Sequence, residues 1–189
     1  GNIEWDELRD HVGSLLSQWQ GPADHFPSPA ETAGEDLHIS HPSSQTHIGI
    51  AFDAIPYSHP DYFQLRGAIG VLSDGMSSRL FTEVRENRGL CYTVYASCHT
   101  LRDRGSIMAY AGTTTERAQE TLDVMTAELI RLSEGIHDEE LQRLKARVKS
   151  ALIMHQESST ARSGAIAADW YHLGHVRSIE EIGTIIDQL

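Results

Sequence analysis

The most informative segment of this chain covers residues 75–95 and reads GMSSRLFTEVRENRGLCYTVY. In its first part, Leu80, Phe81 and Val84 recur at helical spacing, and Gly89 stands where a left-handed residue commonly ends a helix. Beyond that glycine the apolar period changes to two residues, which is typical of a strand. The segment therefore predicts a helix that leads directly into a strand.

Two polar side chains fall beside this predicted junction. Arg85 lies in the last turns of the helix and Tyr92 at the start of the strand, so a fixed charge and a phenol are expected close together. The alternation of the strand places these side chains on one face: Tyr92, Val94, Ala96 and Cys98. A second interpretation stays open, in which Arg85 is a solvated helix charge and Tyr92 a half-buried strand aromatic.

Length and composition indicate an ordinary globular chain. Its 189 residues suit one core with a terminal extension. A net charge of −12 without a Lys/Arg cluster excludes a surface for nucleic acids or anionic membranes. No apolar run approaches the roughly 20 residues of a membrane span, and no export signal is present, so we expect a cytoplasmic protein. Because the chain begins at Gly1 without methionine, we expect a fragment or a processed product.

The order of predicted elements indicates the fold class. The sequence predicts a helix at residues 3–19, a linker at 21–44, and strands at 46–53, 92–98 and 106–112. Further helices are predicted where His59 and Pro60 open one, at 113–134, from 138, at 160–173 and from 178. A further strand could lie at residues 37–40. This order is neither alternating βα nor all-helical, so we predict an α+β fold with an antiparallel sheet and helices packed on one face.

The eleven histidines do not form a recognisable metal motif. Neither His-x-x-Glu-His nor His-Glu-x-x-His occurs, although a catalytic zinc commonly needs such a helical pair and a third ligand. His38 and His41 are three apart in the linker, and His172 and His175 are three apart beside Gly174, which favours solvated histidines. Motifs of serine hydrolases and phosphate-binding loops are also missing. The sequence by itself predicts no complete catalytic site.

The chain resembles the C-terminal half of pitrilysin/insulinase-type zinc peptidases, a family that includes mitochondrial processing peptidase and the core proteins of the cytochrome bc1 complex. The matching segments are residues 45–48, 59–63, 75–81, 84–92, 128–129, 132 and 135–141. The likeness implies a peptidase-like α+β domain at 45–189. Residues 1–44 resemble the tail helix of a preceding half and the connection between the halves.

In this family two α+β halves, or two subunits, face each other across a peptide-binding chamber, and the N-terminal half carries the zinc. The resemblance therefore implies that this chain is the substrate-binding half, with no catalytic residue and no metal ligand of its own. Its partners would be a zinc-bearing N-terminal half or subunit and a peptide substrate. Arg85 and Tyr92 match the family's substrate-binding pair. Asn87, Arg88 and His137 depart from the usual pattern without touching that pair.

Two further expectations follow from the resemblance. We expect the isolated chain to be inactive, since zinc-activated water would come from the other half. The alternative is a structural scaffold homologue without peptidase activity, as the core proteins of the respiratory complex are. A homodimer is also possible, because the predicted N-terminal helix has an apolar face and a chamber wall would be exposed.

Overall fold

A computed structural model describes residues 3–21, 34, 36–40 and 42–189. The chain divides into two compact units, Gly1–His41 and Pro42–Leu189. Most of the predicted linker, at residues 22–33, 35 and 41, lies outside the described residues. Residues 36–40 are described and contain no strand, so the further strand considered at 37–40 is not formed.

The first unit contains one helix, α1 (Trp5–Leu16), among its described residues. Its apolar residues recur every three or four positions, as the sequence predicts, but the helix is shorter than the predicted span 3–19. The apolar side chains of this segment are all exposed: Trp5, Leu8, Val12, Leu15, Leu16 and Trp19. The amphipathic pattern therefore produced a helix whose apolar stripe is open to solvent.

The second unit contains an antiparallel sheet of three strands in the order β1-β3-β2. The strands are β1 (Thr46–Ala54), β2 (Cys91–Thr100) and β3 (Gly105–Thr113). Strands β2 and β3 form the predicted hairpin around the turn at residues 101–104, and β1 pairs with the other edge of β3. In β3, Ile107, Ala109 and Ala111 point into the core and alternate with less buried residues. Period-two patterning therefore fixes which face is covered.

Helices α2 (Tyr62–Ser73) and α3 (Ala118–Leu132) and a short π-helix (Phe81–Glu86) pack against this face of the sheet. Leu72, Leu80, Val84 and Met125 are buried there against the β3 side chains. Helices α4 (Asp138–Glu157), α5 (Ser159–Leu173) and α6 (Ile179–Asp187) follow, and α4 packs on α2, α5 and α6. The predicted α+β fold is confirmed.

Two predicted helix starts are wrong by a few residues. Pro60 precedes α2 instead of opening it, because a backbone hydrogen bond of 3.0 Å from Tyr62 N to His59 O closes a turn there. The helix predicted from Thr113 begins as a 3₁₀ turn at Thr115–Arg117, and α3 follows. Thr113 itself ends β3 and donates a 2.6 Å hydrogen bond to Leu90 O. A local turn therefore delays the first helix, and pairing with a distant segment delays the second.

None of the described helices combines the length and the apolarity needed to cross a bilayer.

Candidate substrate-binding site

The predicted helix of residues 75–95 is a π-helix at Phe81–Glu86. Asn87 N donates to Thr82 O over 2.8 Å, which is the five-residue spacing of a π-turn. Gly89 ends this helix with a φ of 58°, so the predicted left-handed stop is confirmed. The wider turn places Arg85 on the exposed side, while Val84 is fully buried.

Strand β2 opens with a β-bulge at Tyr92. Cys91 pairs with Thr113 and Thr93 with Gly112, so Tyr92 is an additional residue without an opposite partner. Cys91 points into the core at 9% exposure, whereas Tyr92 is 84% exposed. The predicted common face for Tyr92 and Ala96 is therefore wrong, because the extra residue shifts the alternation by one. Tyr92 is also not the half-buried aromatic of the second interpretation.

The structure brings Arg85 and Tyr92 together. The guanidinium carbon of Arg85 lies 5.7 Å from the ring centroid of Tyr92 and 5.0 Å from that of Phe81. These distances suit cation–π contacts, which orient the planar cation between two rings. Arg85 is thus an exposed helix charge, as the second interpretation had it, but one whose position is fixed by aromatic neighbours.

The hydrogen-bond donors of this pair are not used within the described residues. Neither side chain has a hydrogen bond to residues 42–189, and no carboxylate there lies within ion-pair distance of Arg85. The neighbouring arginines differ, since Arg88 binds Glu83 at 2.5 Å and Arg79 binds Glu140 at 2.7 Å. A guanidinium and a phenol side by side can therefore donate to an acceptor that approaches from solvent.

The nearby thiols are not suited to nucleophilic chemistry. Cys91 and Cys98 are both free. Burial raises the pKa of the Cys91 thiol, and the charge of Arg85 offsets this only in part. Burial likewise raises the pKa of Cys98. Both side chains therefore stay protonated at neutral pH and act as small core residues.

The histidine pairs do not assemble a metal site in the described part of the chain. No group of three His, Cys, Asp or Glu side chains there could hold a metal ion. The His172 ring lies 4.7 Å from the ring of Tyr57, against which it stacks, and His175 is exposed. His38 is described and His41 lies outside the described residues.

A polar cluster that the sequence did not reveal joins Tyr57, Asp169 and Arg177. Arg177 donates to both Asp169 and the Tyr57 hydroxyl oxygen, and Tyr57 donates to Asp169 over 2.7 Å. Burial alone would raise the pKa of Asp169, but the hydrogen bonds from Arg177 and Tyr57 lower it. The cluster lines a cavity of about 520 Å³ between α2, α4, α5 and α6. The charges of Asp169 and Arg177 satisfy each other, and their hydrogen bonds join α5 to the segments before α2 and before α6.

Comparisons with known proteins identify the family and the fold of this chain. The family model described as peptidase M16 inactive domain matches residues 1–148. An uncharacterized zinc protease of Rickettsia felis is 29% identical over 191 residues, which cover 100% of this chain and 46% of the relative. A protein of the same description from Rickettsia bellii is 30% identical over 188 residues, with 98% and 45% covered. The chain thus spans less than half the length of these curated relatives.

Solved structures show the same fold. A peptidase M16 inactive domain from Pseudomonas fluorescens superimposes with a TM-score of 0.85 at 26% identity, covering 100% of this chain and 46% of the other. A chain of complex III2 from Candida albicans gives 0.80 at 24% identity, with 100% and 48% covered. The second likeness concerns the fold alone and does not favour a scaffold role.

The family match over residues 1–148 and the shared fold lead to one assignment. This chain belongs to the peptidase M16 inactive domain family, whose relatives include proteins named as zinc proteases.

Proposed function

We propose that this chain is the substrate-binding half of a zinc metallopeptidase, in which Arg85 and Tyr92 hold the peptide that the other half cleaves. One observation carries the proposal: an exposed arginine lies against an exposed tyrosine, and the donors of both are unused within the described residues. Surface arginines without a ligand role are commonly free to move, whereas this one is held between two rings.

The chemistry of the pair suits peptide carbonyl groups. A guanidinium presents several N–H donors in a plane and a phenol presents one O–H donor, so together they can bind carbonyl oxygens on either side of a scissile bond. Such bonds strengthen as negative charge develops on the oxygen, and they therefore favour the transition state over the ground state. The stacking on Phe81 fixes Arg85 before the substrate arrives, which reduces the cost of ordering it.

The local backbone supports the same role. π-helices and β-bulges occur often at functional sites, where they redirect one side chain out of the regular pattern. Here one of each flanks Gly89, and together they bring out Arg85 and Tyr92. A regular strand would turn Tyr92 toward the core side, away from an incoming peptide.

Zinc belongs to the other half in this proposal. The described residues of this chain offer no set of metal ligands, and the curated relatives have about as much chain again outside the matched region. A zinc ion there would supply the activated water. The residues of this chain would bind the peptide, orient its carbonyl groups and stabilise charge on their oxygens.

The test compares three variants of this chain, each assayed together with its zinc-bearing half on a fluorogenic peptide library. Arg85→Ala is expected to lower kcat/KM by about 100-fold or more, the usual cost of removing such a donor. Tyr92→Phe removes the hydroxyl and keeps the ring beside Arg85, so a smaller loss is expected. Arg143→Ala is the control, since that exposed arginine of α4 has one ion pair among the described residues, with Glu139 at 3.8 Å.

The possible outcomes separate the two functional readings. If Arg85→Ala and Tyr92→Phe both retain the kcat/KM of the Arg143→Ala control, the pair does not support catalysis and the proposal is wrong. If the unaltered protein with its zinc half cleaves no peptide of the library, a scaffold role replaces it.

A further inference from the structure

The face of the sheet opposite the helices is open and carries one connected group of three rings. None of its side chains is buried, and the residues of this open face are His47, Gly49, Ala51 and Asp53 in β1, Ser106, Met108, Tyr110 and Gly112 in β3, and Thr93, Tyr95, Ser97 and His99 in β2. Asp53 and His99 lie at the Ser106 end, and the other side chains are small apart from the three rings and Met108. The face is therefore a shallow surface with one raised group of rings.

The three rings form a connected cluster, called the ring cluster here: His47, Tyr95 and Tyr110. The ring centroids of Tyr95 and Tyr110 are 5.2 Å apart, and those of His47 and Tyr110 are 5.9 Å apart. His47 Nδ1 and the Tyr110 hydroxyl oxygen share a hydrogen bond of 2.6 Å. Each strand contributes one ring, so the sheet holds the cluster rigidly and sets its position.

Glycines leave room around the cluster. Gly49 lies opposite Tyr110 on β1, and Gly112 lies opposite His47 on β3. A Cβ atom at Gly49 would meet nothing within 4 Å, so the space above that position is empty. A side chain from another molecule can therefore approach the flank of Tyr110 without displacing any residue of the sheet.

The ring cluster continues the site of Arg85 and Tyr92. Because of the bulge, Tyr92 and Thr93 are both exposed, and Tyr95 follows on the open face of the same strand. Three residues of strand cover about 10 Å at roughly 3.3 Å per residue. An extended peptide bound at Tyr92 thus reaches the cluster within about three of its own residues.

We propose that the ring cluster is a specificity subsite that selects an aromatic or large aliphatic side chain of the peptide, about three residues from the carbonyl held by Arg85 and Tyr92. This inference rests on the proposed peptidase function. Aromatic rings favour offset or edge contacts with other rings, and the partly exposed ring of Tyr95 can make such a contact. The hydroxyl of Thr93 beside it suits the polar main chain of the peptide, whereas Ser97 Oγ already shares a 2.9 Å hydrogen bond with His99 Nε2.

The test uses this chain with its zinc half and three peptides that differ at one position. The peptides carry Phe, Ala or Asp at a single site, which is moved from two to four residues on each side of the cleaved bond. We expect the unaltered protein to prefer Phe over Ala by about 10-fold or more in kcat/KM at one of these sites, mainly through KM. Asp, which finds no cation in the cluster, should rank last.

The variant Tyr95→Thr removes the ring and keeps a residue that favours strands, so the sheet is preserved. It should reduce the Phe/Ala ratio to about one, because it lowers kcat/KM for the Phe peptide by more than for the Ala peptide. Ser106→Ala, at the far end of the same face, is the matched control and should keep the full ratio. Tyr110→Phe keeps the ring but removes its hydrogen bond with His47. This variant should lower the Phe/Ala ratio to an intermediate value.

The outcomes distinguish the subsite from the function on which it rests. Peptide cleavage with a Phe/Ala ratio near one at every site, or a ratio that survives Tyr95→Thr, overturns the subsite and leaves the proposed function intact. If Arg85→Ala lowers kcat/KM for both peptides and keeps their Phe/Ala ratio, the result supports both the subsite and the proposed function. An unaltered protein that cleaves none of the peptides overturns both.

Discussion

Arg79 is a buried arginine whose guanidinium group is fully engaged. It donates to the two carboxylate oxygens of Glu140 at 2.8 and 2.7 Å and to the carbonyl oxygens of Arg131 and Gly135. Glu140 also accepts a 3.0 Å hydrogen bond from His137 N, at the start of α4. One carboxylate therefore pairs a buried charge and caps a helix, which ties the beginning of the π-helix region to α4.

This pair should make the stability of the protein depend on pH. The hydrogen bond from Arg79 lowers the pKa of Glu140 from 4.5 to about 2. A carboxyl whose pKa is lower in the folded protein than in the unfolded chain stabilises the fold at any pH above the unfolded pKa. That stability is lost as the pH falls from 4.5 toward about 2. Glu140→Gln should therefore lower the free energy of unfolding by about 3 kcal/mol at pH 7, as measured by urea denaturation.

The difference between the unaltered protein and Glu140→Gln should shrink as the pH falls from 4.5 toward about 2, since Glu140 is protonated first in the unfolded chain, which favours unfolding of the unaltered protein. Glu139→Gln is the control, because that neighbouring side chain is 91% exposed and should change stability by less than about 0.5 kcal/mol. Equal losses in the two variants at pH 7 would contradict the role given to Glu140.

Residue-level contacts differ in how well the sequence predicts them. The proximity of Arg85 and Tyr92 follows from their places at the end of one element and the start of the next. The face of Tyr92 does not, because a bulge depends on pairing with β3. The contact of Tyr57 with Asp169 joins residues 112 positions apart, and local periodicity carries no information about it.

At the scale of elements, the start of β3 closes tightly against the end of β1. A Cβ atom at Gly105 would come within 2.2 Å of the Ile55 carbonyl oxygen, which is a backbone atom and cannot rotate away. Gly105 pairs with Ala54 on one side and with Thr100 on the other. The absence of a side chain at this position therefore lets three chain segments converge at one corner of the sheet.

Gly105→Ala should destabilise the protein by about 1–3 kcal/mol, because the backbone of β1 or β3 must shift to admit the methyl group. Gly164→Ala is the opposite case, since nothing lies within 4 Å of a Cβ there and the position is inside α5. That variant should gain about 0.5–1 kcal/mol through helix propensity. Thermal unfolding of both variants measures the contrast, and a Gly105→Ala variant as stable as Gly164→Ala would refute it.

Sequence patterns predict the parts of a helix that depend on hydrogen bonds between residues close together in the chain. The helix predicted from residue 178 is confirmed and begins with a capping box, since Ser178 N donates to Glu181 Oε2 and Glu181 N to Ser178 Oγ at 3.1 Å. The π-turn of Phe81–Glu86 was not predicted, because apolar residues three and four apart fit an α-helix equally well. Its extra residue became visible only in the hydrogen bonds.

At the scale of the whole molecule, the hydrophobic core belongs to one unit. The buried cluster draws on α2, the π-helix region, α3 and the three strands, all within Pro42–Leu189. Residues 3–21, 34 and 36–40 of the first unit contribute none to this cluster, and α1 buries none of its own side chains. Since burial of apolar area supplies most of the free energy of folding, the stability of the chain should come from the second unit.

We therefore predict that the domain boundary falls at residues 41–45, between the first unit and the start of β1. A chain of residues 42–189 should unfold in one cooperative step at a midpoint temperature within about 2 °C of that of the whole chain. A second truncation, residues 42–177, removes α6 and with it Ile186, which is only 1% exposed. Deleting such a side chain costs about 2–5 kcal/mol, so this chain should unfold well below the other two. If both truncated chains lose the same amount of stability relative to the whole chain, residues 1–41 belong to the folding unit. Their removal could cost so much only if they contribute to the free energy of folding.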